Sequence, residues 1–493
     1  MRRSGVLMHI SSLPSPYGIG TMGAQAREFV DFLVESGQSC WQVLPVSPTG
    51  FGDSPYQSFS SFAGNPYFID LDMLCKEGLL KRSEYENTVW CHSCGSIDYG
   101  LLYEKRFDVL RLAADRLIAS PPEDFYQWCE SNGFWLNDFS LFMAIKASQG
   151  SCAWSQWERP LKFREAQALE AARSALADKI AYYKALQYLF FSQWKQLRRY
   201  ANERGISIIG DIPIYVSPDS SDVWANPQWF KLDDELQPIE VAGCPPDGFS
   251  ENGQLWGNPL YDWDKLRDNG FSWWVSRIAH QFEIFDILRL DHFRGFDAYY
   301  AIPRGESTAR NGRWLPGPGI DFFNTVNYAL GKREYIAEDL GFLTDSVAKL
   351  LKESGLPGMK VLQFAFDSRE DSDYLPHNYT HNCVAYTGTH DNDTILGWFA
   401  SAPAADTEKA MRYLRIRENE SKPKAMISAL LASTADLAIV TVQDLLELGS
   451  EGRMNTPSTN SGNWQWQMKK NALTKAHAKW LKEQTVLYGR AAD

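Results

Sequence analysis

The chain has 493 residues, enough to bury a large core, and its 61 Asp and Glu residues outnumber its 49 Lys and Arg residues. The resulting net charge of −12 argues against nucleic acid or an anionic membrane as a partner. The apolar run before Ser11 is too short for a signal-peptide core or a membrane span, so we expect a cytoplasmic protein. Its eight cysteines are scattered and predict reduced thiols rather than a disulfide framework.

The aromatic content points to a class of ligand. The chain contains 18 Trp, 22 Tyr and 27 Phe residues, and many of them stand beside Gly, Pro, Asn or Asp in predicted loops. Flat rings with a polar edge suit sugars, which have both an apolar face and polar edges. Most of these rings are nevertheless expected to lie in the core.

The first predicted elements are a strand, a helix and a second strand. Residues 4–10 predict a strand, and a loop rich in Pro and Gly follows at residues 11–20. The next segment carries apolar residues at helical spacing, namely Ala26, Phe29, Val30 and Leu33. Residues 40–45 predict a second buried strand, which implies a parallel pair with a right-handed crossover.

The strand and helix alternation fades in the next part of the chain. Residues 71–204 predict an inserted, mainly helical subdomain that ends in a long helix at residues 179–204. Residues 1–70 and 205–493 are then the catalytic part, with long active-site loops that include residues 217–270. Such loops are usually functional in compact domains.

The pair Cys91 and Cys94 is a CxxC motif with two possible functions, a redox dithiol or half of a zinc site. Zinc requires two further ligands at suitable spacing, and we find no partner pair. A redox motif should open a helix after a strand, whereas Gly95-Ser-Ile-Asp-Tyr-Gly follows here. A role in redox chemistry stays open only as a minor alternative.

Alternation resumes after residue 205. Six further strands are predicted, at residues 206–216, 285–291, 334–338, 359–366, 384–387 and 437–442. A helix at residues 343–354 is among those predicted between them. Eight strands with intervening helices indicate an α/β protein with a (β/α)₈ barrel, in which catalytic residues lie at the carboxyl ends of several strands.

Three of these strand ends carry carboxylates, at Asp291, Glu338 and Asp391. Two carboxyl groups that flank a scissile bond are what glycoside cleavage requires, one ionised and one protonated. Arg289 shares a strand face with Asp291, and its positive charge favours the ionised, nucleophilic form of that carboxylate. Glu338 follows an apolar strand and lies near other carboxylates, so a raised pKa and the role of general acid are expected.

The order of short motifs along the chain is also informative. They are Ser54-Pro-Tyr-Gln-Ser, Gly64-Asn-Pro-Tyr, Gly210-Asp-Ile-Pro-Ile-Tyr, Pro245-Pro-Asp, Gly253-Gln-Leu-Trp-Gly-Asn-Pro, Arg289-Leu-Asp-His-Phe-Arg-Gly, Ala337-Glu-Asp-Leu-Gly, Gly388-Thr-His-Asp-Asn and Arg453-Met-Asn-Thr-Pro. In these motifs nearly the whole chain resembles the 4-α-glucanotransferases known as amylomaltases or disproportionating enzymes, which are related to the α-amylase clan.

The resemblance implies a retaining transfer of α-1,4-glucan segments between maltooligosaccharides, with glucose as a further acceptor. It implies Asp291 as nucleophile, Glu338 as acid and base, and Asp391 as the carboxylate that binds sugar hydroxyls at the transition state. Substrate contacts are implied at Tyr56, Asp211, Trp256, Arg289 and His390, with a more structural role for Asp211. Retention predicts the two catalytic carboxyl groups about 5 to 5.5 Å apart.

Two positions depart from the family pattern, since Ser458 stands where Gly is usual and Gln467 where Arg is common. Both put loop geometry in question rather than the chemistry. The chemistry requires no metal or cofactor, and no acidic calcium loop is evident.

Alternatives remain for each assignment. Arg289 and Asp291 would also suit a structural ion pair, and Tyr56 and Trp256 would also suit packing within their loops. As whole-protein functions, an α-glucan hydrolase with the same residues and a non-catalytic glucan-binding barrel stay open.

Overall fold

The computed structural model describes residues 2–50, 52–93, 95–246, 250–341, 343–459 and 461–491. The strands in these ranges are β1 (Arg3–Leu7), β2 (Cys40–Gln42), β3 (Ser207–Ile212), β4 (Glu240–Cys244), β5 (Gln254–Pro259), β6 (Ile287–Leu290), β7 (Ala298–Pro303), β8 (Arg313–Pro316), β9 (Tyr335–Ala337), β10 (Gly358–Val361), β11 (Cys383–Tyr386) and β12 (Leu437–Thr441).

The helices in the same ranges are α1 (Ala24–Glu35), α2 (Leu71–Lys76), α3 (Tyr99–Ala119), α4 (Phe125–Ser131), α5 (Gly133–Ser148), α6 (Arg159–Lys162), α7 (Ala166–Ala175), α8 (Ala177–Asn202), α9 (Ser221–Ala225), α10 (Trp263–Asp268), α11 (Ser272–Ile284), α12 (Arg294–Asp297), α13 (Ile320–Leu330), α14 (Asp345–Ser354), α15 (Ile395–Ser401), α16 (Ala404–Tyr413), α17 (Lys422–Ala432), α18 (Val442–Leu445) and α19 (Lys475–Leu487). Among the described residues, no helix combines the length and the apolar character that a membrane crossing requires.

Eight strands form a closed parallel barrel in the order β1, β2, β3, β6, β9, β10, β11 and β12. Closure comes from pairing of the first strand with the last, where Val6 lies opposite Val440. The predicted (β/α)₈ barrel is therefore confirmed, and each of the eight predicted strands contributes to it. The predicted strand at residues 359–366 is too long, because the chain turns into a 3₁₀ helix at Leu362.

The barrel strands bury both of their faces, as the apolar runs predicted. On β6, Ile287 points into the barrel interior, where it joins Leu7, Ile209 and Ile336 in one buried cluster. Leu288 and Leu290 point outward into the larger core formed with the helices. This alternation places Arg289 on the inward face and so delivers it to the mouth of the barrel.

The elements described between residue 71 and β3 are the helices α2 to α8 and short 3₁₀ turns. The longest helix, α8, is anchored to the loop after β2 by Gln187, whose side chain exchanges two hydrogen bonds with the backbone of Gly64 at 2.7 and 2.9 Å. A Cβ atom at Gly64 would lie 2.0 Å from the ring of Phe190, so this close approach requires glycine. The division into residues 1–70 with 205–493 and an insertion at 71–204 stays a prediction.

A second sheet lies outside the barrel, with four antiparallel strands in the order β5, β4, β7, β8. Two of its strands fall in residues 217–270, where long loops were predicted. The Gly and Pro residues of Gln254–Pro259 hid the strand pattern there. This sheet contributes Trp256 and Trp314 to a cleft at the mouth of the barrel.

Candidate active site

A cleft of about 3380 Å³ opens at the carboxyl ends of the barrel strands. Its lining includes seven of the eight residues that the sequence predicted for the site, namely Tyr56, Trp256, Arg289, Asp291, Glu338, His390 and Asp391. These residues come from segments far apart in the chain and meet because parallel strands end at the same edge of a barrel. Asp211 is the exception and does not line this cleft.

Arg289 bridges two carboxylates at the end of the barrel. Its Nη1 atom lies 2.6 Å from Asp211 Oδ2 and 2.9 Å from Asp291 Oδ1. Burial opposes the charge of the guanidinium, but the two carboxylates outweigh it and raise the pKa of Arg289 well above its usual range. Of the two acids only Asp291 reaches the cleft, with 27% of its side chain exposed against 0% for Asp211.

Asp211 lies beneath the cleft and holds two residues that face it. Its Oδ2 atom accepts hydrogen bonds from Arg289 and from the Tyr56 hydroxyl, the latter at 2.8 Å. Burial raises the pKa of Asp211 to about 6, and the charge of Asp291 adds to this effect while Arg289 opposes it. This position favours the structural role considered for Asp211 over direct contact with a sugar.

Glu338 follows β9 and is held by the backbone on both carboxyl oxygens. The His292 N–H donates to Oε2 at 2.7 Å and the Leu340 N–H donates to Oε1 at 2.8 Å. Burial raises the pKa of Glu338 to about 7, with a further increase from Asp291, while Arg289 and the two N–H groups lower it. A carboxyl group with this pKa is still partly protonated near neutral pH and is able to act as an acid.

His292 belongs to the site, although its motif, Arg289-Leu-Asp-His-Phe-Arg-Gly, did not indicate a role for it. Its backbone lies in the left-handed region, with φ of 52°, and this conformation turns its N–H toward Glu338. Its ring packs edge-on against Trp256, with centroids 4.9 Å apart. Burial lowers the pKa of the imidazole to about 4, so the ring is neutral near pH 7. The position of His292 next to Asp291 in the sequence was the available indication that it belongs to the site.

Asp391 is held by a segment late in the chain. The Asn455 side chain donates from Nδ2 to Asp391 Oδ1 at 2.6 Å, and His390 Nε2 lies 3.4 Å from the same oxygen. Arg453 donates from Nη2 to the Asp391 carbonyl at 2.8 Å and from Nε to the Asn455 carbonyl at 2.8 Å. The motif Arg453-Met-Asn-Thr-Pro contained both residues, but spacing alone did not indicate what they contact.

An aromatic stack lines the same wall of the cleft. The rings of Tyr56 and His390 are nearly parallel, 16° apart with centroids at 5.1 Å, and Trp464 lies 5.8 Å from His390. Trp256 on β5 lines the cleft as well and donates from Nε1 to Gln254 Oε1 at 3.1 Å. Aromatic side chains from several segments of the chain therefore line the cleft. Trp464 was not predicted, although it stands in the late segment Asn463-Trp-Gln-Trp.

The two departures from the family pattern have different environments. Ser458 lines the cleft with φ of 64°, a backbone conformation that favours glycine. Gln467 is buried and donates from Nε2 to the Leu13 carbonyl at 3.1 Å. Of these two positions, Ser458 is the one with a left-handed backbone conformation.

Other predicted features are less fully described. Cys91 is half-buried, and Cys94 and Asp247 of the motif Pro245-Pro-Asp lie outside the described residues. In the part of the chain that the structure covers, no group of three or more His, Cys, Asp or Glu side chains is arranged to hold a metal ion.

The closed barrel and the carboxylates at its mouth define an enzyme of the (β/α)₈-barrel class. A sequence profile described as 4-alpha-glucanotransferase matches residues 8–474. The chain belongs to the 4-alpha-glucanotransferase family.

Individual relatives agree with this assignment. A 4-alpha-glucanotransferase of Clostridium butyricum is 49% identical over 485 residues, which cover 98% of this chain and 100% of the relative. One from Thermus thermophilus is 48% identical, covering 97% of this chain and 96% of the relative. The solved amylomaltase of Streptococcus agalactiae in complex with acarbose is 44% identical, with a TM-score of 0.98 and full coverage of both chains.

Proposed function

We propose that this enzyme transfers α-1,4-glucan segments between maltooligosaccharides with retention, through a covalent intermediate on Asp291. The observation that carries the proposal is the pairing of Asp291, held beside the Arg289 cation, with Glu338, whose pKa is raised to about 7, in one cleft. One carboxylate is thereby kept for attack and the other for proton donation.

In the first step, an Asp291 carboxylate oxygen attacks C1 of the donor glucose. The bond between C1 and the glycosidic oxygen breaks, and the proton of Glu338 goes to that oxygen as the shortened glucan leaves. The product of this step is a glycosyl ester on Asp291. Because the ester carries no charge, one of the causes that raise the pKa of Glu338 disappears, and the glutamate is left as a base.

In the second step, the 4-hydroxyl of an acceptor glucan or of glucose attacks C1 of the ester. Glu338 takes the hydroxyl proton, the new glycosidic bond forms and the Asp291 carboxylate is released. Two inversions at C1 leave the α configuration unchanged.

The remaining residues support binding. Asp391, oriented by Asn455, is suited to accept hydrogen bonds from sugar hydroxyls, and His390 lies beside it. Tyr56 and Trp256 offer aromatic surfaces in the cleft. Transfer is favoured over hydrolysis if these rings and the bound acceptor exclude water from the ester.

The decisive test is incubation of the purified protein with maltotriose. A transferase yields glucose and longer oligosaccharides at a constant number of reducing ends, whereas a rising number would indicate a hydrolase.

We expect Asp291→Asn to reduce turnover by at least about four orders of magnitude, since it removes the nucleophile. Full turnover in this variant would contradict the mechanism. The control variant is Asn311→Ala, because the Asn311 side chain is exposed and, among the described residues, bonds only to the nearby Glu306.

The compartment and the thiol pair also stay proposals. We propose a cytoplasmic location from the acidic charge and the scattered cysteines, although a potato relative is described as chloroplastic/amyloplastic. Fractionation of the native host would test this location.

The redox alternative for the thiol pair has its own test. Activity unchanged in the double variant Cys91→Ser and Cys94→Ser would remove it.

A further inference from the structure

Trp314 is an aromatic residue of the cleft that has no role in the proposed two-step transfer. It lies on β8, the edge strand of the four-stranded sheet, and lines the same cleft as Asp291 and Glu338. The residue is 38% exposed, although Tyr300 on the neighbouring strand packs against its ring with centroids 5.2 Å apart. A large flat ring is therefore left partly open to the cleft.

The ring is fixed relative to the reacting groups. The Arg294 guanidinium lies 3.9 Å above the centroid of Trp314. Arg294 follows Asp291 by three residues, so their Cα atoms are at most about 11 Å apart. From the same turn, His292 packs against Trp256 on the opposite edge strand, β5. The turn after β6 thus holds both tryptophans in place.

The position of Trp314 indicates which part of a glucan it contacts. Gly341, Thr344 and Ser346, which follow Glu338 in the chain, line the cleft as well. Ser346 Oγ donates at 2.8 Å to Asp297 Oδ2, on the short helix that begins with Arg294. The wall that carries Trp314 is thus continuous with the segment after Glu338. Tyr56 and His390 instead stack on each other, and His390 lies beside Asp391.

This side of the cleft is where the leaving part of the donor departs. The general acid must face the oxygen that joins the attacked glucose to the leaving glucan, and the acceptor later attacks from the same place. Surfaces on the Glu338 side of Asp291 therefore contact the leaving glucan first and the acceptor afterwards.

We propose that Trp314, supported by Arg294, is a stacking platform for acceptor glucans, contacting a glucose unit beyond the one that provides the attacking hydroxyl. This inference rests on the proposed transferase function. The indole presents a flat apolar surface to the apolar face of a pyranose, and its rigid mounting limits the entropy lost on binding. Acceptors of several glucose units gain this contact, whereas free glucose is too short to reach it.

The test uses α-maltosyl fluoride as donor, because its fluoride leaving group needs no binding surface on the Glu338 side. Fluoride release is measured while either glucose or maltotriose is varied as acceptor. Trp314→Leu keeps apolar bulk but removes the flat ring, and it should raise the KM for maltotriose about tenfold while the KM for glucose changes less than about twofold. Trp314→Phe should give an intermediate KM for maltotriose.

The controls separate stacking from a role in folding. Tyr328→Ala, at a residue that is 92% exposed on α13 and outside the cleft, should leave both KM values as in the wild type. Thermal unfolding of each variant is measured alongside. If the Leu variant is unfolded, the Phe variant decides, since it keeps a ring against Tyr300 and Arg294.

Three outcomes would overturn the proposal. Unchanged KM values in a folded Trp314 variant would remove the platform but leave the transferase function standing. An equal rise for glucose and maltotriose would assign Trp314 to general integrity of the cleft. Wild-type protein that releases fluoride only to water would refute the proposed function and the platform together.

Discussion

At the residue scale, the two carboxyl groups of the proposed mechanism have different surroundings. Asp291 lies 2.9 Å from the Arg289 cation, whereas Glu338 is buried with its pKa raised from 4.5 to about 7. In the proposed mechanism Arg289 is a positioning residue, and the ion pair considered for it from the sequence is present. An ion pair and a catalytic role are compatible here, because Asp291 also faces the cleft.

The raised pKa of Glu338 predicts a pH limit on activity. The acid must be protonated for the first step, so kcat/KM for transfer from maltotriose should fall as pH rises through about 7. Glu338→Gln should abolish turnover of maltotriose but still release a burst of fluoride from α-maltosyl fluoride, because fluoride leaves without a proton. The profile of kcat/KM against pH and a rapid-mixing fluoride assay measure the two effects.

The same residue predicts a change in stability with pH. The folded protein keeps the Glu338 proton at pH values where the unfolded chain has lost it, so this group lowers the free energy of unfolding as pH rises from about 4.5 to about 7. Glu338→Gln removes the titrating group and should therefore be more stable relative to wild type at pH 8 than at pH 4.5. Glu353→Gln, in an exposed pair with Lys349, serves as the control. A difference that does not vary with pH would contradict the shifted pKa.

At the scale of elements, the segment from Arg453 to Asn455 gives Asp391 its orientation. Asn455 Nδ2 donates to Asp391 Oδ1 at 2.6 Å, and the Asn455 N–H donates to the His390 carbonyl at 3.1 Å. With this bond in place, 46% of the Asp391 side chain is still exposed. A loop late in the chain thus fixes a carboxylate that follows β11.

We expect Asn455→Ala to lower kcat for disproportionation of maltotriose about tenfold to a hundredfold, since hydrogen bonds to charged groups are worth more than neutral ones. The KM should change less than kcat, because the backbone bonds that hold the loop remain. Asn311→Ala is the matched control, as in the test of Asp291. Equal losses in kcat and in the midpoint of thermal unfolding would assign Asn455 to folding instead.

At the scale of the whole molecule, closure of the barrel brings the two ends of the chain together. Arg490 is buried and donates to the carbonyls of Leu431, Arg3 and Ser433 at 2.7, 2.9 and 2.9 Å. These carbonyls belong to the start of β1 and to the end of α17, which precedes β12, and β1 and β12 are the pair of strands that closes the barrel.

Arg490→Met should therefore destabilise the fold by about 2 kcal/mol, because the Arg3 carbonyl loses this donor and the Leu431 and Ser433 carbonyls keep only their bonds from Arg2. The midpoint of urea unfolding measures this loss, and kcat at 25 °C should stay near that of wild type while the protein is folded. Arg417→Met provides the comparison, since the Arg417 side chain is 87% exposed and forms a 3.9 Å ion pair with Glu420. Equal effects of the two substitutions would show that Arg490 does not contribute to closure.

The second sheet and the residues that support the site could not be derived from local patterns. Strands β4 and β5 are short and carry Gly and Pro, so their sequence resembles that of a loop. His292, Arg453, Asn455, Trp314 and Trp464 gave no periodic signal. Each acquires its role only from a contact with a distant part of the chain.

The barrel and the carboxylates at its mouth are already evident along the chain. Buried parallel strands need apolar residues on both faces, and the abrupt change to Asp291, Glu338 and Asp391 at three strand ends marks the mouth. These signals are local, so they are visible along the chain. The contacts that hold the site together arise only in the folded barrel, because the bonds of Tyr56 to Asp211, Arg289 to Asp211 and Asn455 to Asp391 join residues 155, 78 and 64 positions apart. The raised pKa values of Asp211 and Glu338 follow from burial and from neighbouring charges, and neither exists before the barrel closes.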